Sequence, residues 1–195
     1  FFMARTKEFD EEVVLSKAVE LFTCKGFNGA SAQELVDFLG ISRSSLYDTY
    51  GDKRKLFIKA LKKYKEVMTK NMIDFIEKSP DATTTIKYIF DLTLNDSLNN
   101  KLAKGCFMVN ASIDMAPHDP EIADIVNNNM LDVAQMLERT IKKGQDAGQI
   151  ATTHSAQALS RFFFNTVSGL RVAAKSGADK VVYDDIIDIA LSTLK

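Results

Sequence analysis

The 195 residues include 46 % hydrophobic residues, only 3 prolines and 9 glycines, and their formal net charge is -1. A chain of this length holds one medium or two small domains with a buried core, and so little proline and glycine favours a mostly helical fold over a turn-rich β fold. No apolar run is long enough to span a bilayer, and the N-terminus lacks the layout of a signal peptide, so we expect a cytoplasmic protein without a membrane partner.

Charge is distributed unevenly along the chain. Residues 1–65 hold 12 Lys and Arg against 9 Asp and Glu, a balance of +3, whereas the remainder holds 13 against 17, a balance of -4. A basic end on an otherwise acidic protein suits DNA binding at one end and a different role at the other.

The first two helices are predicted from apolar spacing and from their caps. Apolar residues recur at helical spacing over 9–25, and Gly26 ends this first helix. A second helix begins after Ser31, which stands three residues before Glu34 in the capping-box arrangement. Gly40 ends it by supplying a left-handed residue.

A third helix is predicted over 43–50, with Ser42 as its N-cap and Leu46 facing the core. Its outward side chains are hydrogen-bond donors and acceptors. Two short helices around a glycine-containing turn, the second with a polar outer face, form the helix-turn-helix geometry that places one helix in the DNA major groove. A capped pair of short helices is also common in ordinary helical proteins, so the pattern alone leaves both interpretations open.

A long helix is predicted from Lys53 to Lys78. Its first part, residues 53–65, holds seven basic residues and no acidic one. Lys53 falls at the helix start, where backbone amides and the helix dipole also favour phosphate. An apolar stripe follows the whole helix, so we expect one rigid element shared by two domains, whose tilt moves the third helix.

Five further helices are predicted in the second domain, over 84–98, 102–115, 120–147, 155–175 and 179–194. Large apolar side chains on several of these stripes, together with an asparagine, suggest a small-molecule pocket, since bundle cores are a usual site for one. The same stripes fit an ordinary core. The predicted ligand-binding residues are Met68, Met72, Phe90, Leu94, Met108, Asn110, Met130 and Phe163, with Asn165 as a second polar candidate.

The last two helices are the candidates for a dimer interface. Gly169 and Ala173 lie on neighbouring turns and allow another helix to approach closely. Ile187 and Ala190 supply apolar contacts from the final helix. Packing within one protomer is the alternative interpretation of these four residues.

Two motifs and their spacing are specific to a known family: AVELFTCKGF at the end of the first helix, and the run GISRSSLYDTYGDKRKLF. Through them, residues 9–61 resemble the N-terminal DNA-binding domain of the TetR/AcrR family of bacterial transcriptional repressors. The later segment GCFMVNASIDMAPHDPEI is similar to one found in a branch of that family. The fold implied is all-α, with a three-helix helix-turn-helix domain over 9–55, a helical ligand-binding and dimerisation domain over 56–195, and the helix 53–78 shared.

The resemblance also implies roles for individual residues. Bases are read from the start of the second helix and the first turn of the third, where Arg43 suits guanine and Gln33 suits adenine. The DNA backbone is held by Tyr47, Tyr50 and Lys53. Asp48 departs from the aromatic or basic residue often found at its position. The predicted DNA-binding residues are Ser31, Gln33, Arg43, Ser44, Ser45, Tyr47, Tyr50 and Lys53.

An enzyme is not expected. His118 and His154 lie in predicted loops, and no nucleophile, phosphate-loop or HExxH motif is present. Cys24 and Cys106 lie far apart without metal-ligand spacing, so we expect free, mostly buried thiols and neither a metal nor a cofactor.

The sequence thus predicts a homodimeric, ligand-responsive transcriptional regulator, a repressor that a small apolar or amphipathic effector releases from a palindromic double-stranded DNA operator. The alternative is a dimeric helical protein that binds a small molecule or a partner without touching DNA.

Overall fold

The computed structural model describes residues 9–99 and 105–195, and the regular elements there are all α-helices. The predicted all-α class is confirmed. No helix in these two ranges is both long enough and apolar enough to cross a membrane. The helices are α1 (Glu11–Gly29), α2 (Ala32–Leu39), α3 (Arg43–Tyr50), α4 (Lys53–Lys78), α5 (Ala82–Asn99), α6 (Phe107–Asp114), α7 (Pro120–Asp146), α8 (Ala156–Lys175) and α9 (Lys180–Ser192).

Helix α1 begins at the N-cap Asp10, whose carboxylate accepts hydrogen bonds from the amides of Glu12 and Val13. The predicted break at Gly26 is present, since this residue has φ 70° and ψ -178°. The helix resumes briefly after the break and ends at Gly29 instead of Lys25. Phe27, just past the break, packs its ring edge-on against Phe57 of α4 with the centroids 5.3 Å apart.

A first core cluster joins α1–α4 to α6 and to the start of α7. At its centre the ring of Phe57 contacts Phe22 of α1 and Phe107 of α6, with centroid distances of 4.9 and 5.0 Å. Ile122 of α7 is fully buried in the same cluster. The three N-terminal helices therefore share one core with elements that lie beyond residue 56.

A second core cluster is formed by α5, the C-terminal half of α7, α8 and α9. The long helix α4 reaches both clusters, because 56–61 are largely buried in the first and Met72 packs against the second. A single helix thus connects the three-helix unit to the far part of the molecule.

Helix α6 is shorter than the predicted 102–115. Gly105 has φ 106° and Cys106 is extended, so the helix begins at Phe107; residues 102–104 lie outside the described ranges. Both cysteines are free, but Cys24 is exposed and Cys106 is half-buried, because Cys24 faces away from the first core cluster. The expectation of mostly buried thiols is therefore wrong for Cys24.

Candidate DNA-binding surface

The turn between α2 and α3 is fixed by hydrogen bonds that the sequence predicts. The Glu34 amide donates to the Ser31 hydroxyl over 3.2 Å, and the Ser31 amide donates to the Glu34 carboxylate over 2.9 Å, which completes the capping box. Lys25 also hydrogen-bonds this carboxylate; it and Ser31 lower the pKa of Glu34 to about 2. Gly40 then turns the chain with φ 71°, and Ile41 is buried.

The start of α3 is ordered by a cluster of serine hydroxyls. Ser42 accepts a hydrogen bond of 3.1 Å from the amide of Ser45, and its hydroxyl lies 2.9 Å from that of Ser44 and 2.8 Å from that of Ser45. Leu46 is buried on the inner side. Arg43 and Ser44 are exposed on the outer side, so polar groups project from a helix end that is already held in place.

Gln33 and Asp48 lie on the exposed side of the same unit. The Gln33 side-chain amide donates to the carboxylate of Asp37, one helical turn on, over 2.9 Å. This bond fixes the direction of the Gln33 side chain at the start of α2. Asp48 is exposed, and within the described ranges it forms no ion pair with Arg43, Lys53 or any other basic side chain.

The two tyrosines of α3 have different surroundings. Tyr47 is 37 % exposed, so its hydroxyl is accessible, whereas Tyr50 is only 3 % exposed and belongs to the first core cluster. Burial, followed by the nearby charges of Glu11 and Glu12, raises the pKa of Tyr50 to about 12. The Tyr50 hydroxyl is buried and has no hydrogen-bond partner among the described residues. The structure thus places Tyr50 in the core instead of on the surface where a phosphate would bind.

Most basic side chains of the run at 53–65 in α4 lie within 4.0 Å of a carboxylate. Two of the seven basic side chains, Lys53 and Lys59, have no carboxylate within 4.0 Å in the described ranges, and each lies over an aromatic ring instead. The Lys53 ammonium is 4.4 Å from the ring centroid of Phe27, and that of Lys59 is 5.1 Å from the ring centroid of Tyr50. Partial burial lowers the pKa of Lys53. The other five pair as Arg54–Asp119, Lys55–Asp52, Lys62–Glu121, Lys63–Glu12 and Lys65–Asp132.

Sequence reasoning missed two features of this run. The spacing of lysines along α4 does not reveal which of them meet carboxylates from α1 and α7, so Lys59 was not singled out. The second missed feature is Asp52, whose carboxylate accepts from the Lys55 amide over 2.7 Å and caps α4. An Asp directly before a helix is a recognisable N-cap signal.

Polar contacts also tie the first turn of α4 to α7, and α1 to α6. The Arg54 guanidinium binds the carboxylate of Asp119, the N-cap of α7, with distances of 2.6 and 2.8 Å. The Asn110 side-chain amide of α6 donates to the carbonyl oxygen of Thr23 in α1 over 2.9 Å. Asn110 is buried at this contact, so its amide holds α6 on α1 where the sequence predicted a ligand contact.

The structure does not gather the eight predicted ligand-binding residues around one cavity. Met108 lies in the first core cluster, and Asn110 is buried against α1, where its amide bonds the Thr23 carbonyl oxygen. Phe90 and Phe163 are buried in the second core cluster, with their ring centroids 5.7 Å apart, and Met72 and Leu94 pack against the same cluster. Met68 and Met130 are exposed, and Asn165, the second polar candidate, is exposed with its amide bonded to the Arg161 carbonyl oxygen.

Two open grooves are present in the part of the chain that the structure describes. One, of about 550 Å³, runs between α4 and α7 and includes Lys65, Ile73, Ile125 and Asp132 in its lining. The other, of about 470 Å³, lies between α1 and α2, beside Phe38. None of the eight predicted ligand-binding residues lines either groove.

The predicted dimer residues fall on different sides of their helices. Gly169 is exposed on α8, and nothing lies within 4 Å of a Cβ added there; Ala173 is half-buried. Ile187 and Ala190 are 7 % and 0 % exposed because they face the second core cluster, so they pack within the protomer instead. The exposed apolar residues of α8 and α9 are Phe162, Val172, Val181, Val182, Ile186 and Ile189.

Comparison with known proteins covers both parts of the chain. Residues 14–60 match the family model of bacterial regulatory proteins of the tetR family, and residues 82–189 match that of the tetracyclin repressor-like C-terminal domain. YezE, an uncharacterized HTH-type transcriptional regulator of Bacillus subtilis, is 34 % identical over 193 residues, which cover 98 % of this chain and 100 % of the relative. The chain belongs to the TetR family.

This TetR-family protein is therefore a DNA-binding transcriptional regulator, as its helix-turn-helix motif predicts. ComR, an HTH-type transcriptional repressor of Escherichia coli, is 24 % identical over 192 residues, which cover 98 % of this chain and 90 % of ComR. A cysteine mutant of the TetR-family regulator CifR, solved in complex with 26-base-pair operator DNA, has a TM-score of 0.86 at 22 % identity, covering 98 % of this chain and 100 % of CifR. At that identity the similarity confirms the fold.

Proposed function

We propose that this TetR-family regulator is a dimeric repressor of the cytoplasm, without enzymatic activity, that binds a palindromic operator and is released by a small apolar or amphipathic effector. The observation that carries the proposal is the ordered tip of α3. Arg43 and Ser44 are exposed there on a helix start that the Ser42 hydroxyl holds through three short contacts. Such a tip can present a guanidinium and hydroxyls to base edges in a major groove.

Phosphate binding is proposed for Lys53, Lys59 and Tyr47. The two lysines lack carboxylate partners among the described residues, and Tyr47 has an accessible hydroxyl on α3. Lys53 also lies at the first turn of α4, where the positive end of the helix dipole adds to its charge. Contacts of this kind fix the register of a protein on DNA and carry the salt dependence of binding.

Dimerisation through α8 and α9 is supported by the apolar residues that these helices leave exposed. On α8, Phe162, Gly169 and Val172 follow one another at helical spacing, and on α9 Val182 and Ile189 do the same. A two-fold dimer places two copies of α3 at a fixed separation, which matches a palindromic operator. CifR, a structural neighbour, is complexed with operator DNA, and ComR is named a repressor, which supports the same role here.

Effector response is proposed to act through α4. This helix is buried in the first core cluster at 56–61 and contacts the second through Met72. An effector that prefers one tilt of α4 would weaken operator binding by its differential affinity, commonly about 1 to 3 kcal/mol. Four residues of the predicted ligand set belong to the second core cluster or pack against it, namely Met72, Phe90, Leu94 and Phe163.

The rival is a helical binding protein that never touches DNA, and a salt titration separates the two. Fluorescence anisotropy of a labelled mixed-sequence duplex is measured with the purified protein from low to physiological salt. The proposed repressor binds at low salt, and the logarithm of its affinity falls linearly with the logarithm of salt concentration. An absence of binding at every salt concentration would favour the rival.

A further inference from the structure

Arg54 belongs to the basic run of α4, yet its side chain binds carboxylates at the start of α7. Its Nε donates to Asp119 Oδ2 over 2.6 Å and its Nη2 to Asp119 Oδ1 over 2.8 Å, a bidentate pair between residues 65 positions apart. Nη2 also donates to Glu121 over 3.1 Å. Bidentate arginine–carboxylate pairs fix relative orientation as well as charge.

Asp119 is placed to transmit this contact into α7. It is a buried residue and the N-cap of the helix, and its Oδ1 accepts from the amides of Glu121 and Ile122 over 3.2 and 3.3 Å. Glu121 extends the contact, because it also accepts from Lys62 over 3.3 Å, two turns further along α4. The first residues of α7 are therefore tied to α4 at two levels.

The first two side chains of α4 contact different parts of the molecule. Lys53 lies over Phe27 of the three-helix unit, whereas the next residue, Arg54, binds the start of α7. Asp52 caps the same turn, directly after the C-cap Gly51 of α3. A movement of α7 relative to α4 would therefore displace Arg54, which lies within a few residues of the proposed DNA-contacting surface.

We propose that Arg54 is a positioning residue for DNA binding, which raises operator affinity through Asp119 by holding the α3–α4 corner against α7, without contacting phosphate. This inference rests on the proposed function. The physical basis is preorganisation: a corner held in one orientation loses less conformational freedom on binding DNA than one free to tilt. In a dimer the same contact also limits variation in the separation of the two α3 helices.

Three variants separate the ion pair from the helix cap. Arg54→Gln removes the guanidinium, Asp119→Asn removes the charge but keeps an N-cap acceptor, and the third variant combines both. A fourth variant, Asp119→Ser, also keeps a helix cap, but its shorter side chain cannot reach Arg54. Lys142→Gln, in an exposed Lys142–Asp146 pair on α7, is the matched control. Operator affinity is measured for each as a function of salt, and urea unfolding establishes that each is folded.

Three quantities test the positioning role of Arg54: operator affinity, the additivity of the two substitutions, and the salt dependence of binding. Arg54→Gln and Asp119→Asn each weaken operator binding roughly 3- to 10-fold. The double variant binds no more weakly than Arg54→Gln alone, since that substitution already removes the contacts to both Asp119 and Glu121. Asp119→Ser weakens binding similarly, and Lys142→Gln changes nothing. The dependence of affinity on salt keeps the wild-type slope in every case, because no phosphate contact is lost.

Several results would overturn the proposal. If Arg54 contacted phosphate, Arg54→Gln would lower the salt slope by about one, and Asp119→Asn would leave operator affinity unchanged or raise it. Additive losses, or tighter binding by the single variants, would equally reject the positioning role. Failure of the wild-type protein to bind DNA at all would contradict the proposed function itself. That outcome is distinct from rejection of the positioning role, which requires a wild-type protein that binds the operator.

Discussion

The side-chain amide of Asn110 donates a hydrogen bond of 2.9 Å to the carbonyl oxygen of Thr23, and so joins α6 to α1 across 87 positions of sequence. Thr23 lies in the last turn before the break at Gly26, where helix carbonyls lose their regular partners. Next to it, Asp114 of α6 approaches so closely that its Oδ2 would lie 2.7 Å from a Cβ added at Gly26. Gly26 is thus required for two reasons: it adopts the positive φ of the break, and it leaves room for Asp114 of α6.

Asn110→Ala is expected to destabilise the protein by about 1 to 3 kcal/mol, because it leaves the buried carbonyl of Thr23 without this donor. Urea unfolding measures the loss. Asn165→Ala is the control, since Asn165 is exposed and its amide bonds the Arg161 carbonyl oxygen of its own helix. Its effect should stay within about 0.5 kcal/mol. Equal effects of the two substitutions would show that the α1–α6 contact contributes little.

Lys53→Gln and Lys59→Gln should each weaken binding to all DNA sequences and reduce the salt slope by about one, because each removes an ammonium that has no carboxylate partner among the described residues. Lys62→Gln is the matched control on the same helix, since Lys62 already pairs with Glu121. Its salt slope should equal that of the wild-type protein. If the control lowered the slope as much as the other two, the distinction between paired and unpaired lysines would fail.

Tyr47→Phe should weaken DNA binding several-fold, whereas Tyr50→Phe should leave it unchanged, because only the Tyr47 hydroxyl is accessible. Loss of the Tyr50 hydroxyl should also leave stability equal to or above that of the wild-type protein, since that group is buried without a hydrogen-bond partner in the described ranges. Anisotropy and urea unfolding measure the two effects. Weaker binding by Tyr50→Phe would restore this residue to the phosphate-contacting set.

Ile189→Glu should convert the dimer to a monomer and abolish tight binding to a palindromic operator, because a charge would enter the proposed α8–α9 interface. Ile113→Glu is the control, as Ile113 is 63 % exposed on α6 against 68 % for Ile189 on α9. Sedimentation equilibrium should find this control dimeric. A dimeric Ile189→Glu protein would place the interface on another surface.

Local rules predict much of the fold from this sequence. The Ser31–Glu34 capping box, the left-handed Gly40 and the Ser42 cap depend on residues within three or four positions of each other, and all are present. The span of α4, Lys53 to Lys78, is also confirmed, because one apolar stripe runs along the whole helix.

Contacts between distant residues explain what the sequence could not predict. The Arg54–Asp119 pair and the Asn110–Thr23 bond join helices whose packing no local pattern specifies. Helical spacing places Ile187 on an apolar stripe, but it does not tell whether that stripe meets its own protomer or a partner. The predicted ligand set failed to converge for the same reason: apolar stripes identify buried faces, and the arrangement of helices decides which of those faces meet.

The most direct test of the account is the selection of bound sites from a random duplex DNA library at physiological salt, with the wild-type protein and the Arg43→Ala variant in parallel. The wild-type protein should enrich a palindrome, and Arg43→Ala should lose preference at one symmetry-related pair of positions while still binding DNA. Enrichment of no sequence by the wild-type protein, or of an identical motif by both proteins, would contradict base reading by the tip of α3.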